Sequence, residues 1–161
     1  MNLERMKILI GLYILARQEL LALDPLSDAT LPNLAAAPQL VEQLEFRLQR
    51  KLPEGLKAFL LCANGWPEFF AMTDIFSTEQ MPEAQKLLEE WPWIRKPFRH
   101  AKIKDVFIIG GSTGSDTVVL TDDTGRIFEY GRGDFSEYEN FETYLEHKTD
   151  TVRYLIDNPI G

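Results

Sequence analysis

The spacing of apolar residues switches twice along this chain, and the order of the switches restricts what it can become. Up to residue 63 apolar side chains recur at helical intervals. From 69 to 130 they gather mostly in short runs bounded by Gly, Asp, Asn or Pro, and after 137 the helical interval returns. Helices, then short strands, then a closing helix imply an α+β fold: an antiparallel sheet meander packed against helices. At 161 residues the chain is the size of one domain, 1–161, with room for a core that needs no disulfide or metal.

Residues 2–22 read as a helix that Asn2 caps and Asp24-Pro25 ends. Apolar residues from Ile8 to Leu15 spread around most of its circumference, so both sides need cover, from the chain's own core or from a second chain. A homodimer through this helix is one expectation. Residues 24–37 read as a linker, which makes 1–37 an N-terminal addition to a core over 38–161. Helices follow from Pro38 and from Pro53, the second ending at Asn64-Gly65 with glycine in a left-handed position. Strands are expected over Phe69–Phe76, Val106–Ile109, Thr117–Thr121 and Arg126–Tyr130, with a short helix over Pro82–Trp91 and a long one over Glu137–Ile156. Asp122-Asp123-Thr124-Gly125 is a hairpin loop with one positive-φ residue.

The net charge of −8 is unevenly placed: −1 over residues 1–37, +1 over 38–104 and −8 over 105–161. An acidic C-terminal third repels nucleic acid and attracts a basic protein, with faster association at low salt. The run Ile8–Ala16 is too short to span a membrane, which needs about 20 residues. Arg17-Gln18-Glu19 stands where a signal peptide would be cleaved, so no membrane partner and a cytoplasmic location are expected. Cys62 is the only cysteine and lies in an apolar run, so it reads as a small buried hydrophobe. One Cys and two distant His, His100 and His147, do not make a zinc site, and no metal is expected.

The most enzyme-like segment is Gly110-Gly111-Ser112-Thr113-Gly114-Ser115, a glycine-rich loop after a strand that invites a nucleotide phosphate. No Lys-Ser/Thr pair follows it, Asp116 adds the wrong charge, and a strand rather than a helix comes next, so an inter-strand loop is the better reading. Asp122-Asp123 is turn chemistry, not an acid–base pair. Arg132-Gly133-Asp134 is a bend after the last expected strand. No catalytic residue and no cofactor emerge. Trp66 reads as core, whereas Trp91 and Trp93, flanking Pro92, suit an interface as well as a core.

The run from Leu48 to Trp66, with Leu52-Pro53, Leu56, Phe59, Leu60 and Asn64-Gly65, resembles the opening signature of the SUKH superfamily, which includes a yeast cell-wall-synthesis regulator and many bacterial immunity proteins. The Gly-rich turn leading into Gly110–Leu120, the strand–turn–strand of Thr117–Tyr130, and Phe141, Tyr144 and Leu145 at the head of the last helix are similar to its later elements. The resemblance covers about 38–147 and leaves the first 37 residues as an extra N-terminal helix on a SUKH-like core. It implies a non-enzymatic binding module, typically an immunity protein that neutralises a cognate toxin with its sheet and polar loops. With the charge pattern, this makes Asp116, Asp122, Asp123, Glu129, Asp134, Glu137 and Glu139 the expected partner-binding acids, with Trp91 and Trp93 as aromatic anchors and a basic toxin as partner. A regulator or scaffold acting through the N-terminal helix is the alternative, ahead of a nucleotide binder using Gly110–Ser115.

Overall fold

Asn2 accepts a hydrogen bond from the Glu4 amide and opens α1 (Leu3–Leu23). In the computed structural model, which describes residues 2–27, 29–94, 106–112, 117–131 and 133–159, two further helices follow: α2 (Pro38–Leu48) and α3 (Glu54–Cys62), each entered through proline. A hairpin comes next, β1 (Trp66–Phe70) and β2 (Thr73–Ile75), then two short helices, α4 (Gln80–Ala84) and α5 (Leu87–Glu90), and a 3₁₀ turn over Pro92–Ile94. Strands β3 (Phe107–Gly111), β4 (Val118–Thr121), β5 (Ile127–Gly131) and β6 (Asp134–Tyr138) precede the closing helix α6 (Phe141–Asp157), which Asn140 caps by accepting from the Thr143 amide.

The six strands pair antiparallel in sequence order, β1 to β6. The expected α+β meander is therefore present, with three differences. The single strand expected over 69–76 is a hairpin. Ala71 and Met72 form its two-residue loop at φ 47° and 67°, the torsions of a type I′ turn that Asn-Gly usually supplies. The helix expected over 82–91 is broken into α4 and α5. The helix expected from Glu137 begins at Phe141, because 134–138 is the edge strand β6.

One sheet face and the helices α1, α3 and α6 share the main core, in which Met6, Tyr13, Phe59, Trp66, Phe69, Phe141 and Tyr144 are inaccessible or nearly so. Tyr13, Trp66, Phe69 and Tyr144 form a chain of ring contacts with centroids 4.9–5.8 Å apart. The opposite face carries Ile108, Val118, Leu120 and Phe128, covered by Ala84, Leu88 and Ile94. Trp66 is core, as expected.

The N-terminal addition is stitched into this core. The Tyr13 hydroxyl donates to the Phe69 carbonyl. The Arg17 guanidinium, 5% exposed, donates to the Thr30 carbonyl, the Thr30 hydroxyl and the Glu68 carbonyl and lies over the Tyr13 and Trp66 rings. Trp66 Nε1 donates to the Thr30 carbonyl. Arg17 thus adds donors to backbone carbonyls that Trp66 and Thr30 also serve, tying α1 to the start of β1.

Gly110 and Gly111 belong to β3, not to a loop, and the glycine at 110 has a packing reason. A Cβ there would collide with the Asp74 carbonyl oxygen of β2. Residues Thr113–Asp116 lie outside the described residues. Gly110→Ala is expected to force β2 and β3 apart and lower the unfolding free energy by about 1–3 kcal/mol, the usual cost of overpacking. Urea unfolding of the two chains measures it, and equal midpoints would refute it.

Candidate partner-binding surface

The register of the last hairpin sorts its side chains. Tyr130 faces Phe135, Phe128 faces Glu137, Glu129 faces Ser136 and Ile127 faces Tyr138. Successive strand residues alternate between faces, so Phe128, Tyr130, Phe135 and Glu137 share one face while Glu129, Ser136 and Tyr138 share the other.

On the first face five aromatic rings follow one another. Phe128 contacts Phe135, Phe135 contacts Tyr130, Tyr130 contacts Trp93 and Trp93 contacts Trp91, with centroids 5.5–6.2 Å apart. The row begins at fully buried Phe128 and surfaces at Phe135, 41% exposed, and Trp91, 39% exposed. The 3₁₀ turn at 92–94 is what brings Trp93 onto the sheet. Exposed Glu89, Glu90, Asp134, Glu137 and Glu139 lie on the segments that carry the row, and Glu137 accepts from Arg126 at 2.6 Å. An apolar, aromatic centre with a charged rim has the anatomy of a protein-binding patch. β6 ends the sheet, so its outer edge pairs with no other strand among the described residues.

On the second face Glu129 accepts from Lys148 Nζ at 2.6 Å, from the Tyr144 hydroxyl at 3.1 Å and from the Tyr138 hydroxyl at 3.4 Å. Lys148 also sits over the Phe70 ring, 4.4 Å from its centroid. A cavity of about 360 Å³ lies beside this cluster, lined by Phe70, Met72, Thr117, Tyr130, Asp134 and Ser136 among others. The three donors, two of them from α6, tie that helix to the sheet.

The seven expected acids therefore separate. Asp134, Glu137 and Glu139 are all exposed on β6 and the turn after it, but Glu137 shares the face of Phe135 while Asp134 alternates to the other face and lines the cavity there. Asp123 is exposed on the β4–β5 turn and pairs with Arg50. Asp122 is 6% exposed; its Oδ1 accepts from the Thr124 amide, the Thr124 hydroxyl and the Arg126 amide, which fixes the turn that Gly125 completes at φ 88°. Glu129 faces α6. Asp116 lies outside the described residues. Trp91 and Trp93 sit in the aromatic row. Tyr130 and Phe135 are members that the sequence reading left out. The aromatic residues Phe135 and Tyr138, set off by Gly131 and Gly133, were the available signal, a weak one because the run does not alternate.

Among the described residues no three His, Cys, Asp or Glu side chains gather as metal ligands, and no helix is long and apolar enough to cross a membrane. Cys62 is half-buried, with its thiol pushed above its usual pKa mainly by burial.

Burial also holds the Tyr13 and Tyr144 phenols above their usual value of 10.0, and Tyr138 less so; at Tyr13 the pull of Arg17 opposes burial and outweighs the upward push of Glu129, whereas at Tyr144 and Tyr138 the Glu129 carboxylate adds to the shift. A raised folded pKa gives stability that is fully present below the unfolded value and lost as pH rises beyond it. Unfolding free energy is therefore expected to be level in this respect through neutral pH and to fall above pH 10, by up to about 1.4 kcal/mol per pH unit for each such tyrosine. Denaturant titrations between pH 8 and 11 test this. A Tyr144→Phe chain with an equally steep alkaline loss would count against it.

The family model described as SMI1 / KNR4 family (SUKH-1) matches residues 35–147. No curated protein matches the chain.

Proposed function

Because the chain belongs to the SMI1 / KNR4 family (SUKH-1), we propose that it works by binding another protein through the aromatic row of β5, β6 and Trp91–Trp93, without catalysing a reaction. The finer reading is an immunity protein that neutralises a cognate, basic toxin in the cytoplasm by direct contact. The observation that carries it is the surfacing of Phe135 and Trp91 from a buried row, amid acids of a C-terminal third whose net charge is −8. Aromatic anchors supply affinity and the acidic rim supplies orientation and on-rate. Such a surface disfavours nucleic acid as a partner.

Capture of partners by the tagged chain from its own cells at low salt, identified by mass spectrometry, tests the reading. A dominant basic, toxin-like chain is expected. Phe135→Ala and Trp91→Ala should each weaken it by roughly 30-fold, the loss typical of a binding hot spot. Reversing Asp134, Glu137 and Glu139 together should slow association most at low salt. Unchanged affinity in all of these chains refutes the surface. Capture of resident assembly proteins, insensitive to these changes but lost on altering the outer face of α1, favours the regulator or scaffold reading, which the exposed leucines of α1 support.

A further inference from the structure

The two carboxylates on the second face of the last hairpin differ in their surroundings. Glu129, Asp134 and Ser136 share that face, and the cavity of about 360 Å³ is bounded by them together with Thr73, Met72 and Lys148. Lys148 neutralises Glu129. Asp134 has neither a side-chain hydrogen bond nor an ion pair among the described residues. Gly131, opposite Asp134 on β5, carries no side chain, which leaves space beside the carboxylate. A second polar group on the cavity wall also lacks a partner. Thr73 is 5% exposed, yet its hydroxyl makes no hydrogen bond among the described residues. Buried hydroxyls are ordinarily paired, so both groups are poised for a ligand that donates hydrogen bonds.

From these groups we infer that the cavity receives an arginine side chain of the partner protein, which deepens the reading under Proposed function and rests on it. The charged residues lining the cavity, Glu129, Asp134 and Lys148, sum to −1, so a cation completes the site and an anion does not. A guanidinium suits it better than an ammonium. Its planar fork of N–H donors pairs with both oxygens of one carboxylate and still has donors for a hydroxyl, and it is the more weakly hydrated of the two cations. At about 360 Å³ the cavity lies at the small end of ligand sites, roughly 300–1,000 Å³, which fits one side chain rather than a cofactor. Phe70 and Met72 line it as well and offer apolar surface to the alkyl stem. Tyr130 both lines the cavity and belongs to the aromatic row, so a partner seated on that row has the cavity at its margin.

Titration of N-acetyl-arginine methylamide, a capped arginine, into the isotope-labelled full chain tests the site by NMR without the partner. Saturable amide shifts at Thr73, Asp134 and Ser136 are expected, with a Kd on the order of millimolar. The capped citrulline analogue, of similar shape without the charge, should bind at least tenfold more weakly. Asp134→Asn should cost roughly tenfold or more, and Thr73→Val, which keeps the shape, about threefold, the losses typical of charged and neutral hydrogen bonds. Asp123→Asn, on the β4–β5 turn, should change nothing. Absence of saturable shifts, equal binding of the citrulline analogue, or indifference to Asp134→Asn overturns the site. Against the captured partner, Asp134→Asn should again cost roughly tenfold. A partner that Phe135→Ala and Trp91→Ala weaken and Asp134→Asn does not overturns the arginine assignment and leaves the aromatic surface standing. A partner that responds to Asp134→Asn alone keeps the cavity and refutes the row.

Discussion

Lys148→Met lowers the unfolding free energy by about 3–5 kcal/mol, the cost of removing one partner from a buried ion pair. Both partners are well covered, Lys148 with 7% and Glu129 with 16% of the side chain exposed. Methionine keeps the volume and the contact with the Phe70 ring. What it removes is the cation that compensates the Glu129 carboxylate between β5 and α6. Two tyrosine hydroxyls remain, and neutral donors do not offset a buried negative charge as an ammonium does. The double variant Glu129→Gln with Lys148→Met should regain much of the loss, because no charge is then left buried. Thermal and denaturant unfolding of the single and double chains provides the check. A single variant within 1 kcal/mol of the parent (about fivefold in the folded ratio) would show that water reaches the pair and screens it.

A chain that starts at residue 35, where the family match begins, is expected not to fold cooperatively. α1 fills the main core with Met6, Leu9, Ile10 and Tyr13, all 7% exposed or less, and each such side chain contributes about 1.5–3 kcal/mol by burial. Their loss alone approaches the 5–15 kcal/mol that a domain of this kind has in total. Removal of Arg17 and Thr30 adds to it by leaving the Glu68 carbonyl and the Trp66 indole without these partners. Near-UV circular dichroism and calorimetry of the shortened chain test the expectation. A sharp transition with native-like aromatic ellipticity would overturn it. For the same reason, deleting α1 does not separate a docking role from a structural one, whereas changes on its outer face do.

Periodicity and punctuation served well where local chemistry decides the backbone. The Asn2 cap, the prolines entering α2 and α3, and Asp122–Gly125 are governed by neighbouring residues, and all are legible. The β1–β2 turn was missed because Ala71-Met72 carries no turn residue. Two left-handed residues there cost about 1–3 kcal/mol each, and the pairing of Trp66 with Ile75 and of β2 with β3 holds them in place. β6 was missed because its side chains are mostly exposed, so no buried face marks a strand, and it is its pairing with β5 that makes one. The start of α6 was misplaced by the same error.

The sequence by itself determined the α+β order, the ends of α1 and the starts of α2 and α3, the family signature and the concentration of negative charge in the last third, because each depends on residues close together or on composition. Only the tertiary structure decided which acids remain available. Asp122 is drawn into its turn and Glu129 toward Lys148, 19 positions away, while Asp134, Glu137 and Glu139 stay at the surface. It also assembled Trp91, Trp93, Tyr130, Phe135 and Phe128 into one row, and it made α1 part of the core rather than an appendage. These outcomes depend on sheet register and on contacts across more than 100 positions, such as α1 against α6. Burial is a property of the packed whole, and no local pattern encodes which face of an element another element will cover.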